Sequence, residues 1–139
     1  PRPSMMIFDA AKRDVCVVNR RETNTPMQAL LLLNDTQFVE ASRFLGQRML
    51  KEGGETLPEQ IQFVFRSTTG RYPTEKEVEI LKKLYREQLK NFEAHPGQAE
   101  KLLAIGAKEH DLSLSSTQVA TATTVASTML NFDDTITKR

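Results

Sequence analysis

The residues best suited to chemistry lie near the N-terminus. Arg13, Arg20, Arg21, Glu22, Thr23, Asn24, Thr25 and Gln28 lead directly into a helix start at Pro26. Free backbone amides and the positive end of a helix dipole favour an anion there, and arginine adds bidentate recognition of carboxylates. Arg13, Arg20, Arg21, Asn24 and Gln28 are therefore the candidate binding residues, for an anion, an acidic glycan or the face of a companion domain. In the favoured, purely structural assignment, the arginines pair with Asp9, Asp14, Glu22 or Asp35 and pin an N-terminal arm to the helices.

The remaining reactive side chains offer less. Nucleophilic catalysis needs a thiol or hydroxyl beside a base, and Cys16, flanked by valines, has no histidine near it in sequence. It reads as a small buried apolar residue. Covalent haem requires Cys-x-x-Cys-His, whereas Cys16 is followed by Val17, Val18 and Asn19. A metal centre needs several convergent ligands. His95 and His110 are far apart and read as loop or surface residues; Asp133 and Asp134 are adjacent, and neighbouring side chains point different ways. Asn34-Asp35-Thr36 matches a glycosylation acceptor, but Asn34 or Asp35 as a helix cap explains it better. No catalytic residue, metal site or cofactor is expected within this segment.

Composition narrows the partners. The 139 residues fit one domain, with 19 basic and 18 acidic residues and a net charge of +1. The charges are spread evenly along the chain, whereas nucleic-acid binding usually needs a concentrated basic face; no nucleic-acid partner is expected. The longest apolar run, Ala29-Leu30-Leu31-Leu32-Leu33, falls far short of the ~20 residues that span a bilayer, so no membrane insertion is expected either.

The elements that must position these residues are helices. Ser or Thr followed three residues later by Glu or Gln, the pattern of a reciprocal helix cap, occurs at Thr25…Gln28, Thr56…Glu59, Thr74…Glu77 and Ser115…Gln118. Apolar periodicity then predicts helices over about 26–33, 35–51, 58–69, 75–92, 97–105 and 117–130. Gly53-Gly54, Gly70 and Gly106 act as stops. The second helix is expected to bury Phe38, Ala41, Leu45 and Met49. The last is rich in Ala, Ser and Thr, which suits either a central helix closely crossed by its neighbours or a surface serine/threonine tract; Val119, Ala122, Ala126 and Met129 at helical spacing favour the central helix. Residues 1–24 have no helical period and read as an extended arm over helices 26–131. The expected fold is all-α: a compact bundle of about five to six helices with that arm, one domain over 1–139.

Three stretches resemble a known family. Pro3 to Ala10 with Arg13, Cys16 and Arg20, then Thr23-Asn24-Thr25-Pro26-Met27-Gln28-Ala29-Leu30 and Leu33-Asn34-Asp35, are similar to the planctomycete cytochrome-associated family called domain of unknown function 1553. Gly70-Arg71-Tyr72-Pro73-Thr74 with Glu77 looks like that family's helix–turn–helix junction, and Val125 to Asp134 like its closing segment. The resemblance covers the C-terminal part of the family's longer domain. It implies a large exported bacterial protein, with the chain downstream of a companion domain and often joined to a cytochrome c module. It implies no established activity, and it places any haem elsewhere in the full-length protein.

On these grounds the chain is expected to be a non-catalytic docking module. Its partners would be companion domains of the same polypeptide, a cytochrome c module among them, in an extracytoplasmic compartment. The alternative is a ligand- or glycan-binding or catalytic half-site completed by upstream domains.

Overall fold

A computed structural model describes residues 35–132 and 135. The predicted arm over 1–24, the first predicted helix, Cys16 and the Asp133-Asp134 pair lie outside them. The described residues form five helices and no strand: α1 (Thr36–Glu52), α2 (Leu57–Thr69), α3 (Glu75–Ala94), α4 (Pro96–Leu103) and α5 (Ser116–Leu130). The fold is an all-α bundle.

Local chemistry sets most helix boundaries. Asp35 caps α1, its carboxylate accepting from the Gln37 N–H at 2.8 Å. At α2 the Thr56 N–H donates to Glu59 Oε2 at 3.1 Å. At α3 the cap is reciprocal: the Thr74 N–H donates to Glu77 Oε2 at 2.7 Å, and the Glu77 N–H to Thr74 Oγ1 at 3.3 Å. The fourth expected box fails. Ser115 occupies the cap position of α5, but its hydroxyl meets the Thr117 hydroxyl at 3.0 Å and makes no bond to a first-turn amide. Gly70 ends α2 with φ +77°, a left-handed conformation suited to glycine. After α1 the left-handed residue is Gly54, at φ +104°, and Gly53 stays right-handed. α3 continues two residues past its expected end, to Ala94. Pro96 then forces His95 out of helical geometry, at ψ 70°.

α5 is the hub. It packs against each of the other four helices, and Val119, Ala122, Ala126 and Met129 are buried as expected. Two apolar clusters divide along it. Ala122, Val125, Ala126 and Met129 join Met49, Ile61, Val64, Phe65, Leu81 and Tyr85. Val119 and Ala120 join Phe92, Ala99 and Leu103. Each large side chain buried this way contributes roughly 1.5–3 kcal/mol. A threonine-rich helix tolerates the position because its hydroxyls bond back one turn. Thr121, Thr123 and Thr124 donate to the carbonyls of Thr117, Val119 and Ala120, so no buried hydroxyl among them lacks a partner.

The expected burial pattern of α1 is the main departure. Ala41 is exposed, Phe38 and Leu45 are half-buried, and the helix buries Ser42, Arg43, Gly46, Gln47 and Met49. Gly46 explains the rotation. A Cβ there would stand 2.8 Å from Ala122 C and 2.8 Å from Thr123 N, so α1 crosses α5 backbone against backbone. The side chains on either side of that crossing are polar.

Candidate functional site

Glu40, Arg43, Gln47 and Lys51 follow one another at intervals of three, four and four residues, which places them on one face of α1. That face meets the connection between α4 and α5. Arg43, only 1% exposed, donates through Nη1 to the carbonyls of Leu103 at 2.7 Å and Ile105 at 2.8 Å, and through Nη2 to that of Lys108. One turn earlier, the Glu40 carboxylate accepts the Ala107 N–H at 2.8 Å. Two turns later, the Lys51 ammonium pairs with the Asp111 carboxylate. Asp111 also accepts from the Ser113 amide at 2.9 Å and hydroxyl at 2.6 Å. Lys51 first, and Ser113 second, hold its carboxyl well below the usual range.

The arrangement is a long-range helix cap. The last carbonyls of a helix lack intrahelical donors and carry partial negative charge, and a guanidinium offers donors in a fixed fork. Arg43 takes that role for α4 from 60 residues away. The expected end of the helix is also corrected: α4 stops at Leu103 and does not reach Ile105, because the Ile105 N–H turns to the Leu102 carbonyl at 3.3 Å, and Gly106 follows at φ +106°. The clamp has a cost. Arg43 Nε and Gln47 Nε2 are buried without partners, and each such group costs about 1–3 kcal/mol.

The clamped connection shapes a surface. A depression of about 420 Å³ is lined by Glu100, Leu103, Ala104, Gly106, Ala107, Lys108, Glu109, His110 and Leu112. Leu112 is 80% exposed. Phe44, itself partly exposed, lies with its ring 5.7 Å from the Lys108 ammonium. The lining of the depression mixes the apolar Leu103, Ala104, Ala107 and Leu112 with charges of both signs, Lys108 against Glu100 and Glu109.

A second constellation closes the α2–α3 turn. The Arg71 guanidinium grips the Glu77 carboxylate with two bonds, at 3.0 and 2.7 Å, and stacks 4.7 Å from the centre of the Phe65 ring. Arg66 lies 4.4 Å over the Tyr72 ring. The Arg71 bond, with the Thr74 cap, lowers the Glu77 carboxyl from 4.5 to about 2.

Of the side chains singled out in the sequence, Arg13, Arg20, Arg21, Asn24 and Gln28 lie outside the described residues. His95 is exposed between α3 and α4, with Nδ1 3.2 Å from the Asn91 carbonyl; His110 is half-buried on the connection. Among the described residues, no group of three or more His, Cys, Asp or Glu side chains is arranged to hold a metal ion. None of the described helices is long and apolar enough to cross a membrane. Sequence reasoning passed over Arg43, Glu40 and Lys51. The available signal was the polar three-four-four spacing on a helix read only for its apolar face.

The molecule is thus an all-helical module in which polar side chains brace two connections and α4–α5 displays an apolar surface. The chain belongs to the family described as PSD1, protein of unknown function (DUF1553), whose sequence model matches residues 1–85. The match takes in the Thr23–Leu30 run and the Gly70–Glu77 junction; the closing segment from Val125 lies beyond it. No curated protein matches the chain, and no solved structure does.

Proposed function

We propose that this chain is a non-catalytic docking module. It presents the α4–α5 connection to an upstream companion domain of the same polypeptide, within a large exported, cytochrome c-associated bacterial protein. One observation supports this reading above the others. Leu112 is displayed almost fully to solvent, on a connection gripped by a buried arginine. Exposing leucine is ordinary; displaying it on a segment tied to α1, at a depression that it helps to line, lowers the entropy lost on association. The charged groups of the α1 face are engaged with the connection itself, so their role in this reading is to shape the surface. Any haem would belong to another module, and the compartment would be extracytoplasmic.

The test is binding between this chain and its upstream domain at low and moderate salt. Association at both is expected, weakened about tenfold (about 1.4 kcal/mol) by Leu112→Asp. No association under either condition overturns the reading.

A further inference from the structure

The α4–α5 connection is attached to the molecule in two different ways. At its ends it is held by apolar burial: Leu103 is buried in the cluster with Phe92, Ala99, Val119 and Ala120, and Leu114 packs against it. Between these ends, residues 104–113 contribute no buried side chain. Among the described residues, the middle is held to the rest of the molecule by α1, through Arg43, Glu40 and Lys51. Its own hydrogen bonds are few: Ala104 and Ile105 amides reach back to α4, and Ser113 and Leu114 amides reach Asp111.

These attachments are unequal. Glu40 and Lys51 act at exposed positions, where water competes well for both partners. Arg43 acts where water is excluded, and it joins two points of the segment, Ile105 and Lys108, to the end of α4 at Leu103. Releasing the segment would return its carbonyls and amides to water while uncovering little apolar surface. Segments with these properties open at free energies well below global unfolding.

We propose that residues 104–113 form a latch that opens and closes as one unit while the bundle stays folded, with Arg43 as the catch. Closed, the latch builds the depression beneath Leu112; open, it dissolves it. The latch follows from the fold by itself. Only its consequence, that docking is gated by it, rests on the docking reading.

The experiment is residue-resolved amide exchange on the intact 139-residue chain, without any companion domain. In the unmodified chain, the hydrogen-bonded amides of Ile105, Ala107, Ser113 and Leu114 should share one opening rate, at least tenfold faster than the amides of Val119 to Met129. Arg43→Lys keeps the charge but loses the fork, and should speed the four latch amides at least tenfold further with α5 unchanged. Glu40→Ala/Lys51→Ala should speed them two- to threefold, and decides the matter should Arg43→Lys fail to fold. Equal exchange in the latch and α5 overturns the proposal. So does acceleration of all helices together in a folded Arg43→Lys chain, or no effect of the double variant on the latch. Leu112→Asp should leave latch exchange unchanged, so failure of docking and failure of the latch are separately visible.

Discussion

The two connections braced by arginine are built on opposite plans. In the α2–α3 turn every partner named above lies within thirteen residues, Phe65 to Glu77: the arginine, the carboxylate it grips, the ring it stacks on and the threonine cap. In the α4–α5 connection the arginine comes from another helix, 60 to 65 residues away, and its hydrogen bonds there go to main-chain oxygens. The first turn forms as its own helices form. The second waits until α1 has docked on α5, since contacts distant in sequence must first overcome the entropy of closing the loop between them.

Four substitutions bear on this difference, and the largest effect should come from Phe65→Ala. It removes a core ring, its contact with Phe132 and the platform under Arg71. A loss of about 3–5 kcal/mol is expected, measured by urea unfolding, with both connections lost together. Arg43→Met should cost less, about 1–3 kcal/mol, because an opened connection rehydrates the released carbonyls. Its signature is a local one: unfolding of the bundle still occurs as one transition, while protease cuts appear between Ala104 and Leu114. Comparable losses from the two substitutions would erase the distinction between the connections.

Glu77→Gln should cost about 1 kcal/mol or less at neutral pH, the size of a part-exposed pair. It carries a pH test as well. The Glu77 carboxyl titrates at about 2 in the folded chain, down from 4.5, so its contribution is present above about 4.5 and disappears as pH falls towards 2. Stability curves of the parent and the variant should converge over that interval; parallel curves would show that the Arg71 bond adds nothing. Lys51→Ala should be the mildest, within about 0.5–1 kcal/mol, and should be masked by moderate salt, seen as coincident thermal melts.

The contrast also explains what could be read from the sequence. Thr56, Thr74, Gly70 and Asp35 act on residues within a few positions of themselves, and their roles followed from type and spacing. The central place of α5 followed from Val119, Ala122, Ala126 and Met129. Arg43 did not stand out, because its partners are carbonyls, which every residue possesses and no sequence marks. The same blindness hid the burial of Ser42 and Gln47 behind an expected apolar face. Ser115 failed as a reciprocal cap for a different reason: its hydroxyl found a nearer partner in Thr117. The N-terminal arginines, Asn24 and Gln28 lie outside the described residues, and that part of the reading stands where the sequence left it.

Because Arg43 holds main-chain oxygens, its grip is indifferent to which side chains the connection bears. Lys108, Glu109, His110 and Leu112 can be exchanged for others without disturbing the bonds that shape the segment, whereas Arg43 and the glycine beside it at position 46 have little freedom. The letters of this surface could therefore change widely while its form is kept, because the frame that sets the form is buried on a different helix.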